Sequence, residues 1–207
     1  MKGRFISLEG GEGAGKSTQL KRLAAALRER GIETVETREP GGSPGAESIR
    51  ALLLEGEEQR WPAEAEALLF AAARADHIAS TIGPALAEGV WVLCDRFLDS
   101  SLAYQGGAGG LGFEAIRALH AFGSRGLLPD RTLILQLPPG EAAARAGRRD
   151  PDGPDRIGAR GHDYHARVAA AFAALAQEEP ERIRVVDAAG PVDGVTRRIL
   201  AAVEDLL

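Results

Sequence analysis

The 207-residue chain predicts a three-layer α/β/α fold, with a five-stranded parallel sheet, a phosphate-binding loop and a mobile lid, in one domain. Three observations carry that expectation. A glycine-rich loop, Gly10-Gly11-Glu12-Gly13-Ala14-Gly15-Lys16-Ser17-Thr18, joins an apolar run to an amphipathic one. Short apolar runs then alternate with segments of helical length. Two stretches, 106–112 and 148–161, break the alternation with glycine, or with arginine, aspartate, proline and glycine. Connections of helical length between apolar strands imply right-handed crossovers and a sheet covered on both faces.

Arg4-Phe5-Ile6-Ser7-Leu8 reads as the first buried strand. Leu20, Leu23, Ala24 and Leu27 recur at i, i+3, i+4 and i+7, the buried stripe of a helix. The loop between them satisfies G-x-x-x-x-G-K-[ST] in the strand–loop–helix context of a phosphate-binding P-loop. Its glycines let backbone N–H groups close around phosphate oxygens, and the helix N-terminus adds a favourable dipole. Lys16 is expected to reach the β- and γ-phosphates of a bound nucleotide, and the Ser17 hydroxyl to ligate Mg²⁺. Residues 33–37 read as the second strand, 63–80 as a long alanine-rich helix and 90–94 as the third strand. Residues 132–137 and 184–186 follow as the fourth and fifth strands, and 192–206 as the closing helix. Long irregular segments in compact domains are usually functional, and the charge of 148–161 suits a lid closing over phosphates.

Composition narrows the setting. No apolar run approaches the ~20 residues of a membrane span, so no membrane association is expected. The lone cysteine, Cys94, lies in the apolar run 90–94, which predicts a buried thiol and a reducing, cytoplasmic setting. A net charge of −5 argues against general nucleic-acid binding. Yet 22 of the 25 basic residues are arginines, and several cluster between 145 and 160. The planar guanidinium fork suits phosphate, so local phosphate handling is expected inside an acidic protein.

A P-loop alone leaves GTPases, motor ATPases and small-molecule kinases open. The third strand runs into Asp95-Arg96, which places a carboxylate and a guanidinium at the C-terminal edge of the sheet, where open α/β sheets bind ligands. Asp95 suits Mg²⁺ held through water, and Arg96 a second phosphate group. The chain contains no asparagine, so an NKxD-type guanine motif is absent and the GTPase reading weakens.

The P-loop, Thr37-Arg38-Glu39-Pro40-Gly41-Gly42, Leu69-Phe70-Ala71-Ala72-Ala73-Arg74 and the segment Asp95-Arg96-Phe97-Leu98-Asp99-Ser100-Ser101-Leu102-Ala103-Tyr104-Gln105-Gly106 together resemble bacterial thymidylate kinases. The resemblance covers essentially the whole chain. It implies transfer of the ATP γ-phosphoryl to dTMP, giving dTDP and ADP in dTTP biosynthesis, by a homodimer. It also implies that Lys16, Mg²⁺ and lid arginines surround the transferred group while Arg38 and Arg96 hold the acceptor phosphate. Similarity to the family stacks Phe70 on the thymine, sets Arg74 on a base carbonyl and puts Tyr104 beneath the deoxyribose. Ser101 and Gln105 match base-side polar contacts, Pro40 a substrate-binding position, and Glu12 an acid near the sugar 3′-hydroxyl and the metal. Arg145 matches a position against adenine; Arg149 and Arg156 are the lid candidates for the transferred phosphoryl, with Arg148 not separable from Arg149.

Departures from the family pattern are visible. Gly109 stands where many relatives carry arginine, and Asp155-Arg156-Ile157-Gly158 lacks the final acid of the family's lid signature. His162 and His165, near the lid, suit surface or packing roles. Two other classes remain as competitors. A nucleoside kinase would use Glu9 as the base for a sugar hydroxyl, although paired Arg38 and Arg96 favour an acceptor that already carries phosphate. A non-catalytic nucleotide-binding regulator would need no lid arginines.

Overall fold

Apolar side chains alternate onto both sides of each central strand, so the sheet can be stable only when covered on two faces. The computed structural model describes residues 2–57, 59–138 and 155–207, and shows that arrangement. The strands are β1 (Phe5–Glu9), β2 (Thr34–Arg38), β3 (Trp91–Asp95), β4 (Arg131–Gln136) and β5 (Ile183–Asp187). They lie in the order β2-β3-β1-β4-β5, and every pairing is parallel. On one face Phe5, Val92, Cys94 and Ile134 join a core completed by the helices that follow β2 and β3. On the other, Ile6, Leu8, Leu93, Leu133 and Leu135 pack against α1 (Lys16–Glu29) and the closing helix.

The remaining α-helices among the described residues are α2 (Pro44–Leu54), α3 (Ala63–His77), α4 (Gly83–Ala87), α5 (Leu98–Ser101), α6 (Phe113–Ser124), α7 (His162–Glu178) and α8 (Val192–Val203). Helix α2 starts with Pro44 in its first turn, where a missing N–H costs nothing. The Ala46 amide there is taken by Asp76 at 3.1 Å. No helix among the described residues is long and apolar enough to cross a membrane.

Two sequence expectations change. The long helix does not stop at residue 80. It continues from α3 through a π-helical turn, Ile78–Ile82, into α4. Pro84 supplies the reason: it has no N–H for a regular i→i−4 bond, and a widened turn accommodates the missing donor. Similarly, the glycine stretch from 106 is not wholly irregular, because α5 runs into a π-helical segment, Leu102–Ala108. Glycine there serves close packing. A Cβ on Gly107 would lie 2.6 Å from the Ala171 Cβ of α7.

Each of β1, β2 and β3 begins and ends one residue later than apolarity predicts. The gained residues are Glu9, Arg38 and Asp95, charged side chains delivered to the C-terminal edge by ladder pairing such as Arg38 beside Asp95.

Candidate active site

The C-terminal edge of β1, β2 and β3 opens into a cleft of about 680 Å³. Its floor is the P-loop. Gly10 sits at φ 129°, and a Cβ there would lie 2.4 Å from the Leu135 carbonyl oxygen, so the first loop position admits only glycine. Gly15, at φ 89°, turns the chain into α1, whose first turn carries no side-chain cap. The amides at that end point where an anion is favoured. Ala14 is buried beneath the loop, Glu12 and Gly13 face the cleft, and Thr18 points to solvent outside the cleft wall.

Lys16 folds back over this loop. Its Nζ donates to the Gly10 and Gly11 carbonyls at 3.1 and 3.0 Å. Burial, with repulsion from Arg96 added, pushes its pKa down to about 8. The Ser17 hydroxyl donates to Asp95 Oδ2 at 2.6 Å, joining the P-loop to the end of β3. A phosphate chain beside Lys16 would raise its pKa back toward the usual lysine value. ATP binding at pH 8 is therefore expected to take up about half a proton per site, falling to none near pH 6. Titration calorimetry in buffers of different ionisation enthalpy reads this directly.

Arg96 converges on the same loop. Its guanidinium donates to the Gly10 carbonyl at 3.1 Å, to Ser100 Oγ at 3.1 Å and to Glu12 Oε1 at 2.5 Å. That guanidinium holds the Glu12 carboxyl down at about 2, so Glu12 is ionised throughout the working range. Arg38 reaches the cleft from β2 with both donor contacts on Glu47 at 3.1 Å. Arg50 of α2 is a residue the sequence reading missed. It lines the same wall and donates to the Pro40 carbonyl at 2.6 Å. Its helical position carried no motif that would have singled it out.

The apolar side of the cleft is built on α3 and the π-helical segment. Phe70 is half-buried and lines the cleft, so it is not simply a core residue. Arg74, one turn later, is buried and donates to Glu39 Oε2 at 2.8 Å, Ser101 Oγ at 2.8 Å and the Phe97 carbonyl at 3.2 Å. Glu39 also contacts His77 Nδ1 at 3.1 Å, and His77 Nε2 lies 2.7 Å from Thr37 Oγ1. The residues of the Thr-Arg-Glu-Pro-Gly-Gly run thus lock the arginine that faces the cleft. Gly42 completes this packing, because a Cβ there would meet Thr37 Oγ1 at 2.3 Å. Tyr104 is buried with its ring under the Arg96 guanidinium at 5.1 Å, and its hydroxyl has no hydrogen-bond partner among the described residues. Gln105 lines the wall and donates to Glu66 at 3.0 Å.

The lid residues are distributed differently from the sequence expectation. Arg145, Arg148 and Arg149 lie outside the described residues. Arg156 does not line the cleft. Its buried guanidinium donates to the Leu53 carbonyl at 2.9 Å and to Glu66 at 2.6 Å, and Arg160 reaches the same carboxylate at 2.6 Å. Burial against an acid that it neutralises makes Arg156 a brace between α3 and the 155–161 segment. His165 packs near the Gly158 carbonyl at 3.2 Å and His162 is exposed, as expected for surface or packing roles. At Gly109 a Cβ would lie 2.7 Å from the Gln105 carbonyl oxygen, which disfavours any side chain there in this conformation. Cys94 is fully buried, and burial pushes its thiol pKa up, so it is a structural thiol as the sequence predicts.

Among the described residues no group of three or more His, Cys, Asp or Glu side chains forms a metal site. The Ser17 hydroxyl and Asp95 carboxylate fit the other mode, in which Mg²⁺ takes one or two protein oxygens and completes its shell with substrate phosphates and water.

Comparison with known proteins places this cleft in context. The family model described as thymidylate kinase matches residues 8–199. A protein of Rhizorhabdus wittichii named thymidylate kinase is 62% identical over 207 residues and spans 100% of both chains. One of Rhodopseudomonas palustris, with the same name, is 48% identical over 205 residues, covering 98% of this chain and 89% of its own. The crystal structure of thymidylate kinase from Ehrlichia chaffeensis has a TM-score of 0.79 at 30% identity and covers 99% of each chain. With the P-loop, the paired arginines and the apolar wall in one cleft, the chain belongs to the thymidylate kinase family, enzymes that transfer a phosphoryl group from ATP to dTMP to give dTDP.

Proposed function

We propose that the cleft divides this reaction between a donor side on the P-loop and an acceptor side on the ends of β2 and β3, meeting at the Gly10 carbonyl. The supporting observation is that Lys16 Nζ and Arg96 Nη1 both donate to that oxygen at 3.1 Å. Two cations converging on one oxygen repel each other, and that arrangement suits two anionic phosphates brought end to end. Phosphoryl transfer needs positioning and charge neutralisation more than covalent chemistry. Lys16 and the α1 amides hold the donor phosphates. Arg96, with Arg38 and the nearby Arg50, orients the acceptor phosphate, whose anionic oxygen attacks without a strong base. Ser17 and Asp95 would hold Mg²⁺, which when bound would supply charge neutralisation on the donor phosphates.

On the base side, Phe70 offers a stacking face and Arg74 a donor for a pyrimidine carbonyl, with Ser101 and Gln105 beside it. The bulk of Tyr104 beneath the sugar disfavours a 2′-hydroxyl. Glu9 does not line the cleft, which counts against the nucleoside-kinase alternative in which it acts as base. A coupled ADP-release assay over dTMP, dCMP, dGMP, AMP and thymidine tests the assignment. Turnover of dTMP is expected to exceed that of dCMP by at least about 10²-fold, because a site built to hydrogen-bond a substrate group rejects an analogue that leaves its buried donors unpaired. Equal rates with dCMP would remove the base assignment, and activity confined to thymidine would remove the acceptor assignment.

A homodimer is part of the same proposal. Phe122 of α6 is 93% exposed and Leu68 of α3 is 55% exposed, an apolar surface on two adjacent helices that a second copy would cover. The single buried cysteine and the net charge of −5 suit a cytoplasmic enzyme without nucleic-acid partners.

A further inference from the structure

Glu9 ends β1 fully buried and takes no part in the reaction set out above. Each of its oxygens is engaged by the segment that follows β3. Oε1 accepts from the Phe97 amide at 2.7 Å, and Oε2 accepts from the Ser100 hydroxyl at 2.5 Å. The residue immediately before this clamp is Arg96, whose φ of 70° lies in the left-handed region. A bulky side chain there is strained, and such a conformation persists only where the surroundings over-determine it. Those surroundings are the end of β1. The Arg96 amide donates to the Leu8 carbonyl at 3.0 Å, and the next amide donates to the Glu9 carboxylate. The side chain is gripped as well, since Ser100 Oγ, bonded to Glu9, accepts from Arg96 Nη1 at 3.1 Å.

We propose that Glu9 is a positioning residue for Arg96. Its carboxylate holds the backbone turn through the Phe97 amide and aims the guanidinium over the P-loop through the Ser100 hydroxyl. The acid left at the end of the first strand therefore acts on the acceptor arginine rather than on a proton of the substrate. With both oxygens occupied and no face on the cleft, it has no geometry for general-base work. This inference rests on the reading of Arg96 as the acceptor-phosphate clamp.

The test is steady-state kinetics with dTMP and ATP varied separately, on Glu9→Gln, Ser100→Ala, Arg96→Ala and each of the first two combined with the third. Ser100→Ala removes only the link and a small polar group, so it keeps the inference testable should Glu9→Gln fold poorly. Glu9→Gln and Ser100→Ala are each expected to raise the dTMP KM about 5- to 10-fold and to leave the ATP KM within about twofold, the scale of one lost hydrogen bond. In the Arg96→Ala background neither is expected to add more than about twofold, because residues acting through one group are not additive. Full additivity there, an unchanged dTMP KM in folded Ser100→Ala, or a fall in kcat alone in Glu9→Gln would each overturn the inference. An unchanged dTMP KM in Arg96→Ala would instead overturn the acceptor-clamp reading beneath it.

Discussion

Lys16→Ala is expected to lower kcat by about 10²-fold or more, the usual loss when a preorganised charge at a transferring group is removed. The fold should survive, because the side chain is held by two carbonyl contacts rather than by an ion pair. Deleting it even relieves a buried cation whose charge is opposed by burial and by Arg96. The expected result is thus a split: thermal midpoint unchanged or slightly raised, turnover nearly lost. Differential scanning calorimetry alongside the ADP-release assay checks both halves. Near-normal turnover would show that the transferred phosphoryl is neutralised elsewhere.

Asp99→Ala is expected to do the reverse, costing about 3–5 kcal/mol of stability, as when one partner of a buried ion pair is removed. Asp99 is fully buried and accepts from Arg182 Nη1 and Nη2 at 2.7 and 2.8 Å and from Thr132 Oγ1 at 2.8 Å. Thr132 continues the network to Ser7 Oγ at 2.9 Å, so one carboxylate ties α5 to β1, β4 and the start of β5. Without it Arg182 retains Glu179, at 2.7 Å, as its acidic partner. Urea unfolding measures the loss, and a change below about 1 kcal/mol would place this pair among the weak surface type. Asp99 does not line the cleft, so the damage should show in stability before it shows in turnover.

The contrast between these residues explains how much was legible in the sequence. The P-loop, the parallel sheet and the cleft-lining positions from Arg38 to Gln105 were readable, because strand, glycine loop and helix follow in a fixed order and the motifs have fixed spacing. Strand ends were not. Apolarity sees the buried middle of a strand, whereas Glu9, Arg38 and Asp95 belong to their strands through backbone pairing alone. Five of the helices, α2, α4, α5, α6 and α7, were not singled out either: α4 and α5 are one turn long, α2 and α6 carry glycine or proline, and α7 follows the charged lid. The π-helical turns depend on Pro84 and on the close approach of Gly107 to α7, a three-dimensional fact with no local signature. Arg156 shows the same limit. Its type and spacing suit a phosphate contact, yet Glu66, distant in sequence, takes its charge.

The placement of the two arms of the cleft bears on how this enzyme can diverge. Asp95 and Arg96 stand at the end of β3 and Lys16 opens α1 just past β1, so all three hang on the two central strands, fixed by both layers of the core. Phe70, Arg74, Ser101 and Gln105 stand on α3, α5 and the π-helical segment, within one layer. On the proposed assignment of the base side, a lineage can therefore vary its nucleobase preference by replacing helix-borne side chains one at a time, without disturbing the residues at the phosphate end of the cleft. The cost of such drift falls on the Glu39–Arg74–His77 lock, which any new base reader on α3 must either keep or rebuild.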